Sequence, residues 1–271
     1  MQDIDFLEAN TKYKIIGVGN APIKGLGISV FKPDNLSQML DADTRLVFII
    51  ANLGDGTTNN VAPVIAQTCK EKNIITIGIV SIPIGLEGYN NIRQVNQEIE
   101  KMKELFDSII VLDSQQLFNI FPNLNHSVGL KKANDLARCI VNSILGFIKT
   151  QGTFNLDIND LRTTLKNGGD TYWGVGYGKA RSGIKQAIIE ATHNPLMESF
   201  DIYKSHRILV YINSGANELG AHLLLDYYSK ALSNFMDGFT GDFELKWGFS
   251  IDPNLGDKVK VTILASCFDK K

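Results

Sequence analysis

RLVFIIANLGDGTTNNVAPVIAQTCKEKNIITIGIVSI, residues 45–82, decides the fold. RLVFIIA (45–51) is a continuous apolar, β-branched run that ends in the loop NLGDGTTNN. VAPVIAQTCKEKN (61–73) then reads as a helix, with Pro63 tolerated in its first turn. IITIGIVSI (74–82) is a second apolar strand. Strand, loop, helix and strand at this spacing make a βαβ unit. Strands apolar along their whole length are buried on both faces, as in a parallel sheet.

On either side of this unit the pattern continues. YKIIGVG (13–19) is a buried-strand pattern, and GISVF (27–31) is a short β pattern. A polar helix follows at about 91–105, then the strand SIIVLD (108–113). Residues 127–149 carry the longest helical pattern. Ala133, Leu136, Ala137, Ile140, Val141, Ile144, Leu145 and Ile148 recur at i, i+3, i+4 spacing, and Asn134, Asp135, Arg138 and Asn142 fall on the polar side. A stripe this wide predicts a central helix packed between two layers. The glycine-rich segment Gly168–Gly183 then leads into a helix at 182–194. A strand (206–214), a helix (220–235) and two strands (244–252 and 258–268) joined by a turn at Pro253–Asp257 complete the chain. The predicted class is α/β. A parallel-sheet domain covers 12–126, the central helix and a loop cover 127–165, and a smaller α+β domain with a mixed sheet and helices on one side covers 166–271.

Composition narrows the function. The 271 residues are 44% hydrophobic and 21% charged, as in ordinary globular proteins. A net charge of -2 without a Lys/Arg cluster argues against a nucleic-acid binder. Cys69, Cys139 and Cys267 have no zinc or CxxC spacing and read as reduced, mostly buried thiols in a cytoplasmic protein. No apolar run is long enough to span a membrane, and the polar start MQDIDFLEANTKYK is neither a signal nor a transit peptide, so no membrane insertion is expected.

Three segments could carry chemistry. ANLGDGTTNN (51–60) joins a strand to a helix, where orphan N–H groups and the helix dipole favour a phosphate. Only Gly54 and Gly56 serve it, however, and Asp55 adds a negative charge. A tight turn with Thr58 or Asn59 as cap is the better reading of this loop alone. GVGNAPIKGLG (17–27) has Gly19 after a strand, but Pro22 and a β-like segment follow, so it is no dinucleotide fingerprint. Asn155, Asp157 and Asp160 crowd into six residues at a loop-to-helix junction. The two carboxylates could polarise a water, or could form a capping box. The histidines 126, 193, 206 and 222 have no metal-ligand spacing, and no metal site is expected. Trp173, Trp247, Tyr227 and Tyr228 read as core or interface aromatics.

Several of these segments together resemble the tubulin/FtsZ family, as a divergent bacterial FtsZ of Bacteroidetes type. TRLVFIIANLGDGTTNNVAPVIAQTCKE resembles the FtsZ segment built around GGGTGTG and followed by APVIA. NIITIGIVSIPIGLEGYNNI resembles the next strand and its sugar-contacting FEG turn. KKANDLARCIVNSI resembles the central helix that touches guanine. TFNLDINDLRTTLKNGG resembles the catalytic loop that one subunit inserts into its neighbour's nucleotide site, and NLGDKVKVTILASCF resembles the C-terminal strands. The resemblance spans most of 13–268. It implies catalytic roles for Asn155, Asp157 and Asp160, acting on a neighbouring subunit. It implies a remnant nucleotide site at Gly19, Gly54, Gly56, Thr57, Glu87, Asn134 and Asp135.

The departures lie in the phosphate half. The glycine loop and first helix that the family has after its first strand look deleted, because GNAP (19–22) runs directly into IKGLGISVFKPD. The γ-phosphate loop looks missing between Asp34 and Leu40. GGGTGTG has become GDGTTNN, Asn91 replaces an expected arginine, and Ser114 replaces an asparagine. Each lost donor to a phosphate costs about 1–3 kcal/mol. No tightly bound nucleotide is therefore expected; if the pocket works, it would take GTP or GDP with magnesium. The family's linker and adaptor-binding tail do not follow the globular part in this sequence, so by the resemblance direct adaptor tethering to the membrane is not expected. Three readings follow from the resemblance. One is a pseudo-GTPase that co-assembles with or caps FtsZ filaments through longitudinal contacts with FtsZ or itself. The second is a working GTPase with a compact pocket, and the third is a scaffold for other partners.

Overall fold

The computed structural model describes residues 13–18, 29–30, 40–53, 57–82, 89–149, 154–179, 183–197, 199–215 and 221–268. The chain divides into two units, Met1–Val141 and Asn142–Lys271.

In the first unit, β1 (Tyr13–Val18), β2 (Ser29–Val30), β3 (Leu46–Asn52), β4 (Ile75–Ile82) and β5 (Ser108–Asp113) form a parallel sheet in the order β2-β1-β3-β4-β5. β3 and β4 are buried over most of their length, the pattern of strands covered on both faces. Helix α1 (Thr57–Glu71) buries Ala62, Ile65, Ala66 and Cys69, an i, i+3, i+4, i+7 stripe that packs with Val47, Ile49 and Ala51 of β3. The helix starts four residues before the expected position, within TTNN. Pro63 therefore lies inside it rather than in its first turn. Proline has no N–H to donate to the carbonyl four residues back, so the ladder is interrupted there. Thr and Asn are weak helix formers, which is why TTNN reads as loop from sequence. Helix α2 (Tyr89–Lys103) follows β4. Helix α3 (Ser114–Ile120), absent from the sequence reading, begins directly after β5. It is started by Asp113, whose carboxylate accepts the Gln115 N–H at 2.8 Å.

Helix α4 (His126–Lys149) is one continuous helix, and the boundary between the two units falls within it. In the second unit come α5 (Ile158–Leu165), β6 (Gly169–Lys179), α6 (Gly183–Thr192), β7 (Ser205–Ser214), α7 (Ala221–Met236), β8 (Glu244–Ile251) and β9 (Lys258–Phe268). The sheet order is β6-β9-β7-β8. β9 is antiparallel to β6 and β7, and β7 is parallel to β8. The turn at 253–257 thus joins two strands that flank β7 rather than a hairpin. Gly256 sits there at φ +59°.

Two further expectations change. The glycine-rich segment is an 11-residue strand, β6. Helices also lie on both faces of this sheet. Tyr172 of β6 donates to Ala191 O of α6, whereas Ser266, whose register partner is Thr171, donates to Thr164 O of α5. Adjacent residues point to opposite faces, so α5 and α6 cover opposite sides. The cysteines differ as well. Cys69 is buried, Cys139 is exposed, and Cys267 is intermediate at φ +56°. Cys139 precedes Ile140 by one residue, which rotates it off the helix's buried stripe.

Candidate functional site

The junction at 154–160 is built from backbone outward. Phe154 adds an antiparallel bridge to the edge strand β8: its N–H donates to Phe249 O at 3.2 Å, and the Phe249 N–H donates to Phe154 O at 2.9 Å. Its ring stacks on Trp247, with centroids 5.4 Å apart. Leu156 is buried and seats against Gly248; a Cβ at 248 would stand 2.9 Å from Leu156 Cγ and 2.8 Å from the Tyr211 ring.

Asp157 is the N-cap of α5. Its Oδ1 accepts the N–H groups of Asn159 (2.7 Å) and Asp160 (3.0 Å), and Asp160 Oδ2 accepts the Asp157 N–H at 2.9 Å. This is a complete capping box, and such a cap contributes about 1 kcal/mol. Asp160 Oδ1 also lies 3.2 Å from Lys246 Nζ of β8, and Glu244 is 3.7 Å from the same ammonium. Asn155 is exposed, one residue before buried Leu156. The structure thus brings Asn155, Asp157 and Asp160 onto one short, well-braced turn. Chemically, such a turn presents carboxylate oxygen to solvent and can orient water.

Of the residues assigned to the nucleotide, Gly19, Gly54, Gly56 and Glu87 lie outside the described residues, as does Asp55. Thr57 is the first residue of α1, and the first turn of that helix contains no acidic side chain. The orphan N–H groups of a helix's first turn can receive an anion. Asn134 is half-buried on α4 and Asp135 is exposed, with Oδ1 3.7 Å from Arg138 Nη1. Among the described residues, no group of three or more His, Cys, Asp or Glu is placed to hold a metal ion. Among them too, no helix is long and apolar enough to cross a membrane. His193 and His206 use Nδ1 on the carbonyls of Ile189 and Asp242, each at 2.8 Å.

Two family models match the chain. The GTPase domain of the tubulin/FtsZ family matches residues 13–122, and the C-terminal domain of the FtsZ family matches 169–269. The chain belongs to the tubulin/FtsZ family. It is 36% identical over 256 residues to the cell division protein FtsZ of Porphyromonas gingivalis, covering 94% of this chain and 55% of that protein. The chain therefore spans about half the length of this FtsZ. Among solved structures, an empty FtsZ dimer from M. jannaschii superposes with a TM-score of 0.78 at 21% identity, covering 94% of this chain and 88% of that one. A GTPγS-bound protofilament of CetZ2 from Haloferax volcanii gives a TM-score of 0.75 at 14% identity, covering 96% of this chain and 94% of that one. At these identities the two structures speak to the FtsZ-type fold.

Sequence reasoning included Phe154 in this turn and read Trp247 as a core or interface aromatic, but it missed Lys246. One signal was present. ELKWGFSI places a lysine between leucine and tryptophan inside a strand pattern, and a charge at such a position calls for a partner. The partner, Asp160, lies far away in sequence.

Proposed function

We propose that this chain is an FtsZ-family filament protein that lends its carboxylate-bearing turn to a neighbour's nucleotide while holding none tightly itself. It is a pseudo-GTPase that joins or caps FtsZ filaments. One asymmetry carries the reading. The NLDIND turn keeps all three family residues and is braced by a cap, an ion pair and a strand bridge. The phosphate segment has become GDGTTNN, with an acidic residue beside the start of α1. An anion at that point opposes phosphate binding. The parallel neighbours β1 and β2 are separated only by residues 19–28, fewer than the dozen or so that a helical crossover takes. This supports loss of the family's first helix.

A second reading, a working GTPase with a compact pocket, is favoured by the start of α1 at Thr57. That start keeps first-turn N–H donors directly after the loop.

The test is filament length and phosphate release with FtsZ from the same organism. A capping subunit offers the loop but no nucleotide-loaded face, so substoichiometric chain should shorten filaments. Asp157→Ala and Asp160→Ala should still shorten them while slowing hydrolysis at the capped interface. Unchanged filament length at equimolar protein removes the capping model. Micromolar GTP affinity by calorimetry would favour the compact-pocket reading instead.

A further inference from the structure

The sheet of the second unit carries opposite charges at the two ends of its strands. At one end, Lys179 of β6 stands directly across from Lys258 of β9, and Tyr177 stands across from Lys260. Directly opposed residues share a face of the sheet, and like charges so placed repel. Lys179 and Lys258 are exposed, and Tyr177 is 47% exposed. The carboxylates at this end do little to neutralise the group. Asp257 comes no closer than 3.9 Å to Lys179, with both side chains largely in solvent, and Asp252 Oδ1 accepts the backbone and side-chain amides of Asn254. Among the described residues, neither Lys258 nor Lys260 forms an ion pair.

Strand β7 connects this end to the other. Its last residue, Ser214, pairs with Val259, between Lys258 and Lys260, and its first, Ser205, follows Tyr203 by two positions. Its 10 residues set the two ends about 30 Å apart. At the far end Tyr203 is 38% exposed and packs on Phe239, with centroids 5.1 Å apart, and Phe239 stacks on Phe243. Gly238 lets the tyrosine ring lie against the chain, since a Cβ there would stand 2.4 Å from Tyr203 Cε1. Asp237 and Asp242 adjoin Gly238 and Phe243. Both are exposed, and among the described residues neither forms an ion pair. Lys204 is engaged by Asp201 at 3.6 Å, and His206 uses Nδ1 on the Asp242 carbonyl.

We propose that these two ends are complementary docking surfaces for a second copy of this chain, joined head to tail. Lys179, Lys258 and Lys260 around Tyr177 of one copy meet Asp237 and Asp242 around Tyr203 of the next. The occupant follows from charge. Each end repels its own kind, whereas the opposite end of the same chain supplies the missing counter-charge. A tyrosine beside charged groups suits such a contact, because its ring is apolar and its tip is polar. One contact of this kind leaves an unused end on each copy, so it is heterologous and propagates. It uses neither the turn at 154–160 nor the phosphate segment. It therefore needs no nucleotide and does not rest on the function proposed above. Solvent-exposed ion pairs are individually weak, so the association is of low affinity and salt reverses it.

Sedimentation velocity of the full chain, alone and without nucleotide, is the test. In low salt wild type should form species larger than a monomer as its concentration rises. The dissociation constant should increase at least about tenfold between about 25 mM and about 500 mM salt. Lys179→Glu/Lys258→Glu has two acidic ends, and Asp237→Lys/Asp242→Lys has two basic ends. Each should stay monomeric, and an equimolar mixture of the two should associate again. The quadruple variant, with both ends exchanged, should associate as wild type does. Melting curves like that of wild type confirm that these exposed substitutions leave the fold intact. Monomeric wild type, association that survives either double variant, or a mixture of folded variants that stays monomeric overturns the proposal. Association that appears only with GTP and magnesium also overturns it, because the contact would then depend on nucleotide. No FtsZ is present in the experiment, so its outcome leaves the capping model to its own test.

Discussion

Burial pushes the Cys69 thiol and the Tyr172 hydroxyl up to about 12. Cys69 is sealed in the core of the first unit, and the nearby Asp107 charge adds to the effect. Tyr172 is held neutral while its hydroxyl donates to Ala191 O at 2.7 Å and accepts from Asn194 N at 3.1 Å. In the unfolded chain these groups ionise near their ordinary values of 9.0 and 10.0. Above about pH 9 the native state therefore binds more protons than the unfolded state, and stability falls as pH rises toward 12. Below pH 9 neither group contributes a slope. Urea midpoints between pH 8 and pH 11 should decline in wild type and decline less in Tyr172→Phe and in Cys69→Ala. Equal slopes in all three proteins would mean that other groups set the alkaline limit. At Asp157 the expectation concerns capping. Asp157→Ala removes the acceptor for two N–H groups and should cost about 1 kcal/mol, whereas Asp157→Asn, itself a good cap, should cost only a few tenths. Equal losses in the two variants would show that charge, rather than the cap, is what Asp157 contributes to stability.

Strand β6 and helix α6 approach more closely than side chains allow. A Cβ at Gly174 would stand 1.9 Å from Ala191 O, and one at Gly176 2.0 Å from Ala187 O. Both obstacles are backbone atoms and cannot rotate away, so Gly176→Ala should destabilise by about 3 kcal/mol or more. Gly146, inside α4, meets nothing within 4 Å, and Gly146→Ala should stabilise by about 0.5–1 kcal/mol through helix propensity. Chemical denaturation of the two variants checks both signs; a tolerated Gly176→Ala would mean that α6 is free to shift. The same pair of elements shows what the sequence could and could not reveal. The apolar runs of β3 and β4 and the long stripe of α4 were legible because burial imposes a period on the residues. β6 was hidden because the residues that let a helix sit on it are glycines, which carry no β signal. In the candidate site, the capping role of Asp157 and Asp160 was legible from their spacing. Lys246 was not, because the contact depends on β8 standing at the edge of the sheet beside residue 154, which local pattern does not encode.

For the whole molecule, the two readings of nucleotide binding diverge in a thermal shift. A ligand that binds only the native state adds RT ln(1 + [L]/Kd). With 1 mM GTP and a Kd near 1 μM this is about 4 kcal/mol, and for a protein of this size that raises Tm by roughly 10 °C. With a Kd near 1 mM it is about 0.4 kcal/mol, or a rise of roughly 1 °C. The altered phosphate segment GDGTTNN and the short β1–β2 connection place the expectation in the second regime. GTP with magnesium should therefore shift the melting curve by less than about 2 °C. Asp55→Gly removes the one negative charge in that segment and restores one family glycine, so any shift should grow in that variant. A rise near 10 °C in wild type would mean that the first-turn donors of α1 suffice for a tight phosphate site. The chain would then carry both halves of the shared active site, the compact-pocket GTPase would replace the pseudo-GTPase, and a subunit able to load nucleotide would have no reason to stop a filament.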